Sequence, residues 1–346
     1  MKRLIFIPFL CILCIAYSCK KTPASNETAE KTSLSIAFGS CNKPEIDGRM
    51  WQYIGQNNPD LFVWLGDIVY GDTHNMDTLR AKYNKLSQMP AYRQFADSTP
   101  IIGVWDDHDY GVNDAGKYYS KKEESKSILL DFLEVAKDAE VYQHAGVYSS
   151  EVMGSGDRKV KIILLDGRSF RDTLAHSDVA GRRYEANPEG DILGEAQWKW
   201  LENELTDSDA KVHIIGCGIQ FIATAHGWEK WANFPKARKR LFDLLSEKQP
   251  ASPVLISGDR HIAEIAKIEI DNYSKPVYEL TASGLTHTWS EVKKEPNQYR
   301  TGKLIAKRNF GLIKVQWTEN NDPQVTLEVR GLENELYESK TLWTQQ

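Results

Sequence analysis

Four short polar blocks in this chain each begin where an apolar run stops: Gly39-Ser40-Cys41-Asn42, Gly66-Asp67-Ile68-Val69-Tyr70, Trp105-Asp106-Asp107-His108-Asp109 and Ser257-Gly258-Asp259-Arg260-His261. A single Asp in such a place is more often a turn former or a helix cap than a ligand. Thiol, phenol, carboxylate and imidazole recurring in four such blocks shift that balance. The carboxylates of Asp106, Asp107 and Asp109 repel one another unless cations lie among them. The chemistry that follows is two-metal hydrolysis of phosphate esters. A shared carboxylate holds two cations close, a metal-bound hydroxide attacks phosphorus, and the cations hold the non-bridging oxygens. A nearby His protonates the departing alkoxide.

The runs that carry these blocks read as core strands, being short, continuously apolar and bounded by Gly and Asp. They are 34–38, 61–65, 101–104, 160–165, 212–215 and 254–256. Helical spacing lies between them over 78–87, 121–137, 194–205 and 235–247, with Glu195 and Pro235 suited to first turns. The C-terminal part reads as consecutive strands over 263–270, 277–281, 311–317, 325–330 and 336–342. A chain that begins α/β and finishes β-rich is accommodated by two mixed sheets sandwiched between helices. Polar residues just past strand ends fall where open α/β sheets build their sites. No second linker, repeat or low-complexity tract follows residue 33, so 34–346 is read as one domain.

Net charge is −5, which gives no basic footprint for nucleic acid. An acidic chain handling phosphate must offset its charge locally, with metals or a few arginines. The N-terminus reads as an export signal: Met1-Lys2-Arg3 is a positive start and Leu4 to Tyr17 an apolar run too short to span a membrane comfortably. Ser18-Cys19 resembles a bacterial lipobox, although Ala16 stands where Leu is usual and Tyr17 is bulky. The expectation is a lipoprotein-type signal peptide over 1–18, a flexible tether over 19–33, and an exported protein held by a lipid on Cys19 at the periplasmic or outer surface. Plain secretion and an uncleaved anchor are the alternatives.

Taken together, the four blocks resemble the alkaline phosphatase D (PhoD-like) family of calcineurin-like metallophosphoesterases. Further similarity lies in LLDGRSFRD (164–172), GWEKWANFPKARKRL (227–241) and LTASGLTHTW (280–289), so the resemblance runs from about 34 to 317. It implies a compact, catalytic-domain-only version of the family's α/β fold. It also implies ligands. Cys41, Tyr70 and His261 match ligands of Fe³⁺, and Asp67 matches the carboxylate bridging that iron to a second metal. Asp107 stands where many relatives have Asn, and Asp259 where others have His; both match ligands of the second metal. That cation is a hard divalent one, Ca²⁺ by analogy, with Mg²⁺, Mn²⁺ or Zn²⁺ also suited to oxygen ligands. His108 matches the catalytic His facing the leaving group. The implied activity is hydrolysis of phosphomonoesters, phosphodiesters or both. The rivals are a phospholipase-D-like diesterase acting on lipid or cell-wall polymers, and a surface lipoprotein that binds metal or phosphate without turnover.

Other residues keep two readings. Arg168 is a surface turn residue or, by its guanidinium fork, a substrate-phosphate clamp. His287 is read as lining the substrate pocket. Cys41 pairs with Cys217, or Cys217 is a buried thiol. His226 is a ligand or a substrate contact. Trp228 and Trp231 wall the pocket or merely pack. His74, His144, His176 and His213 read as surface or structural histidines.

Overall fold

The computed structural model describes residues 32–292 and 294–343; the expected signal peptide, Cys19 and nearly all of the tether lie outside the described residues. Two six-stranded mixed sheets carry the fold. In the first, β1 (Ser33–Gly39), β2 (Leu61–Leu65) and β3 (Ile101–Val104) run parallel, and β12 (Asn309–Trp317), β13 (Pro323–Gly331) and β14 (Leu336–Thr341) add antiparallel strands beyond β1. In the second, β5 (Val160–Leu164), β8 (Val212–Cys217), β9 (Pro253–Ser257) and β11 (Val277–Ala282) run parallel. Antiparallel β4 (Ser149–Met153) and β10 (Ala263–Ile268) close its two edges. A two-stranded ribbon, β6 (Ala175–His176) with β7 (Tyr184–Glu185), stands apart.

Alternation along the strands shows how the layers stack. Ile162 and Leu164, Val212 and Ile214, and Val254 and Ile256 enter a core shared with the first sheet. Their neighbours Ile163, Ile215 and Leu255 enter a second core with helices α6 (Gly194–Leu205) and α7 (Pro235–Lys248). Period-two alternation with both faces apolar is what burial of a parallel sheet on both sides requires. On the far face of the first sheet, Trp51 of α1 (Met50–Gly55) meets Phe62 and Trp64 of β2 edge-on, and Tyr92 of α3 (Pro90–Ala96), at ring separations of 4.8–5.3 Å. Helix α2 (Met76–Ser87) starts at Asn75, whose side chain accepts from the Asp77 and Thr78 amides. Among the described residues no helix is long and apolar enough to cross a membrane.

The helix expected over 121–137 is shorter. α5 spans Lys122–Phe132 and is followed by Glu134 in the left-handed region, φ 54°. Helices α1 and α3 have no counterpart in the sequence reading.

Candidate metal centre

The ends of β1, β2, β3 and β9 converge, and each delivers its polar block to one place. Cys41 lies two residues past β1, Asp67 two past β2 and Asp259 two past β9, while Asp107 and His108 open the one-turn helix α4 (Asp107–Tyr110) after β3. The backbone there is strained. Cys41 (φ 58°), Asp67 (φ 49°), Asp259 (φ 61°) and His261 (φ 54°) all occupy the left-handed region that side chains other than Gly avoid. Four such residues around one centre mark a place where the surrounding fold over-determines the backbone, as functional sites do. Gly66 has a different reason. It carries φ 75°, and a Cβ on it would lie 2.1 Å from Asp106 Cβ, so only Gly lets the β2 and β3 loops approach this closely.

Asp109 fastens these two loops. Its carboxylate accepts from the amides of Asp67 (3.2 Å), Ile68 (3.2 Å) and Asp106 (2.8 Å) and from the Tyr83 hydroxyl (3.2 Å). Asp109 is thereby the clamp of the loop pair, with no capacity left for a cation.

Three groups of potential ligands share their members. They are Cys41, Asp67 and His261; Asp67, Asp107 and His108; and Asp106, Asp107 and Asp259, with the ligand atoms of each within 4.8 Å of one another. Asp67 belongs to the first two and is the residue between them. Its Oδ2 lies 3.5 Å from Cys41 Sγ and accepts from the Tyr70 hydroxyl at 3.0 Å. Its Oδ1 is buried and has no partner. An unpartnered buried carboxylate oxygen is expensive unless a cation sits on it. The Tyr70 oxygen is also 3.1 Å from His261 Nε2 and 3.2 Å from His287 Nε2, so a phenol and two imidazoles meet at one point.

The electrostatics point the same way. Burial, opposed by His108 but reinforced by Asp107, Asp109 and Asp259, holds Asp67 well above the usual carboxylate range. Burial and the Asp107 charge lift Asp259 to about 7. The Cys41 thiol and the Tyr70 phenol are pushed up by burial and by neighbouring negative charge. Burial also acts on Asp107, but Arg168, His108 and two backbone amides outweigh it and bring that acid down to about 2. His261 is driven to about 3 by burial and by the charges of its neighbours, which leaves the neutral imidazole that ligation needs. Protein groups alone therefore leave the pocket with more acid than it can ionise. Added positive charge is what would let these acids ionise together. The thiolate, phenolate, carboxylate and imidazole set at Cys41, Tyr70, Asp67 and His261 fits a trivalent iron, and the oxygen set at Asp67, Asp107 and Asp259 fits a hard divalent cation.

His108 stands beside this centre. Its ring lies 4.2 Å from Tyr70, and its Nδ1 is 2.7 Å from Asp72 Oδ1. With Nδ1 held by Asp72, Nε2 is the other ring nitrogen. Burial works to lower the His108 pKa, but Asp67, the Asp72 contact and Asp107 outweigh it and raise it to about 10. Bound cations would offset part of that lift.

The clamp role expected for Arg168 is overturned. Its side chain is 0% exposed. Nε and Nη2 lie 2.6 Å from Asp106 Oδ1, and Nη1 lies 2.7 Å from Glu229 Oε2. The guanidinium braces the wall of the centre, with Nη2 3.9 Å from Asp107 Oδ1, and is engaged by carboxylates of the protein itself. Glu229 also pairs with Arg171 Nε at 2.8 Å, so one buried carboxylate holds two buried guanidinium groups. Glu229→Gln strips that charge from both arginines. We expect about 10- to 100-fold weaker metal binding, as for the loss of an outer-shell partner, together with a lower unfolding midpoint. Metal titration followed by calorimetry checks this, and unchanged affinity would remove the bracing role.

His287 does lie at the centre, beside Tyr70 and His261, whose ring is 4.5 Å away. Cys41 and Cys217 are both free and buried, so the disulfide does not form. His226 joins none of the three groups; its Nδ1 accepts from the Trp228 amide at 3.3 Å and its Nε2 is buried without a partner. Trp231 is wholly buried against Phe221 and Trp198 and is core. Trp228 lies at the rim, 4.7 Å from Trp289, which is itself 5.3 Å from His261. Sequence reading assigned no role to Asp72, Asp106, Glu229 or Trp289. Asp72 was the most findable of these, a second carboxylate five residues past Asp67.

The sequence model of the PhoD-like phosphatase family matches residues 36–330. Alkaline phosphatase D of Bacillus subtilis (strain 168) is 23% identical over 285 residues, covering 70% of this chain and 48% of that protein, so the chain spans about half the length of this curated relative. A solved structure of PhoD superposes with a TM-score of 0.71 at 19% identity, over 90% of this chain and 69% of that one. A dimetal phosphatase from Danio rerio superposes with a TM-score of 0.54 at 13% identity, over 89% and 98%. The two structural matches share the fold of paired mixed sheets between helices. The family model, spanning both halves of that fold and all four polar blocks, shows that the chain belongs to the PhoD-like phosphatase family.

Proposed function

We propose that this chain is a two-metal phosphoesterase that hydrolyses phosphomonoesters, phosphodiesters or both. The observation that carries the reading is Asp67, a buried carboxylate with one unpartnered oxygen, shared by a thiol-imidazole group and a carboxylate-imidazole group. Fe³⁺ would be held by Cys41, Asp67, Tyr70 and His261. A hard divalent cation, Ca²⁺ first and Mg²⁺, Mn²⁺ or Zn²⁺ after it, would be held by Asp67, Asp107 and Asp259, with Asp106 alongside. Bound there, the two cations supply positive charge for the phosphate oxygens and acidify a water.

The chain's own residues supply the rest. Asp72 fixes the orientation of His108, whose Nε2 gives its proton to the leaving oxygen. His287 and the tilted Trp228–Trp289 pair border the entrance and orient the ester. Arg168 and Glu229 hold Asp106 and Asp107 in place, and Asp109 locks the β2 and β3 loops together. Export, with a lipid on Cys19 and residence at the periplasmic or outer surface, belongs to the same reading and rests on residues 1–19 of the sequence alone.

The test is elemental analysis of purified protein combined with a panel of monoesters and diesters. Iron plus a divalent metal, turnover of at least one ester class, and visible charge-transfer absorption that Tyr70→Phe weakens and shifts are the expected results. Fully metal-loaded protein that turns over no ester would leave a metal-binding surface protein instead.

A further inference from the structure

A cavity of about 470 Å³ lies beside the centre, lined by His74, Tyr118, Tyr119, His176, Arg183 and Tyr184 among others. Two hydrogen bonds tie its floor to the catalytic groups. The Asn113 amide donates to Asp72 Oδ1 (3.1 Å), the same oxygen that holds His108 Nδ1. The Asp114 amide donates to Asp107 Oδ2 (2.7 Å). The cavity is therefore two hydrogen bonds removed from His108, through Asp72, and one from Asp107, a candidate ligand of the second metal. Its volume falls in the range of small-molecule sites, roughly 300–1,000 Å³.

The lining says what would fit. Rings form its walls in pairs: His74 with Tyr119 at 5.1 Å, and His176 with Tyr184 at 5.4 Å. Tyr118 is 75% exposed at this edge, far more than a ring of its size usually is. The polar groups of the floor are already engaged. Asp114 Oδ2 accepts from the Tyr184 hydroxyl (2.6 Å) and pairs with Arg183 Nη2 (3.0 Å), while Arg171 is neutralised by Glu229. With Arg183 and Arg171 spoken for, the arginines here offer little to a second phosphate. Lys117 Nζ lies over one face of the Tyr118 ring at 5.2 Å and Arg183 over the Tyr184 ring at 5.4 Å, so what remains on offer is the exposed surface of the Tyr118, His74 and His176 rings, which suits a flat, uncharged ring held by stacking.

We propose that this cavity is a subsite for a ring-bearing substituent of the phosphate ester, an aryl group or a nucleobase. The proposal rests on the phosphoesterase reading above. It makes Tyr118 and His176 specificity residues that touch the organic part of the substrate and not its phosphorus.

The experiment compares adenosine 5′-monophosphate with ribose 5-phosphate on the metal-loaded full chain. The two esters share a primary alcohol leaving group and differ in the base. We expect kcat/KM to favour the nucleotide by about tenfold, the scale of one or two stacking contacts. Tyr118→Ala and His176→Ala should each bring that ratio towards one, and Tyr118→Phe should keep it. A ratio near one in the parent protein, or one that neither Ala variant changes, overturns the subsite. Equilibrium binding of the same two ligands separates this failure from failure of the phosphoesterase reading. If no ester is hydrolysed, tighter binding of the nucleotide that Tyr118→Ala abolishes still supports the subsite, and equal binding overturns it.

Discussion

Asp67→Asn will give a folded protein that holds neither cation and turns over phosphate esters at least about 10³-fold more slowly, the scale of losing a group that stabilises charge in the transition state. The side chain keeps its shape, and Asn tolerates the left-handed backbone found there, φ 49°. What is lost is the carboxylate that the Cys41–His261 group shares with the Asp107–His108 group. The sign on stability is opposite for the metal-free protein. Burial and three acidic neighbours raise the Asp67 pKa, so the fold prefers the protonated acid and the metal-free parent loses stability as pH climbs above the ordinary carboxylate range. The Asn variant has no proton to lose. In chelator at pH 7 its urea midpoint should therefore equal or exceed the parent's, whereas with metals supplied the order reverses. Elemental analysis and paired urea titrations read both effects. An Asn variant with full metal content and normal turnover removes Asp67 from its place between the cations.

His108→Ala comes next in size, with a loss of about 10²- to 10⁴-fold in kcat and little change in metal content. The two losses differ in kind. Removing a proton donor hurts most when the leaving alkoxide is basic, so an alkyl ester should suffer far more than a nitrophenyl ester, whose anion departs unaided. Asp72→Ala should show the same dependence on leaving group at smaller amplitude, because it frees the ring without removing it. Equal losses on both esters would mean that His108 shapes the pocket and does not supply the proton.

The strand ends were legible because they obey local rules. β2 and β3 were bounded correctly from apolar runs closed by Gly and Asp, and α6 from its period and first-turn Glu195. Short α1 and α3 escaped, since six or seven residues are too few for a period to declare itself against background. Helical spacing continues over 121–137, and nothing in it signals the left-handed turn at Glu134, so the helix expected there is longer than α5. At the centre, side chains one or two residues past a strand could be placed from sequence, and Cys41, Asp67, Tyr70 and His261 do come together. Roles fixed by a distant partner could not. Arg168 faces inwards because of Asp106 and Glu229, 62 and 61 residues away, and nothing in LLDGRSFRD says which way a guanidinium points. Glu229 likewise acquires its meaning only when two arginines fold against it.

The candidate ligands are divided between the sheets. Cys41, Asp67, Tyr70 and Asp107 follow strands of the first, whereas Asp259 and His261 follow β9 of the second. A chain with only one sheet assembled has an incomplete set of candidate ligands, so tight cation capture must wait for the sheets to dock. Metal uptake then becomes a clock for the last stage of folding. Once captured, the ions act as rivets across the interface, and chelation should loosen the seam between the sheets before it disturbs either sheet from within.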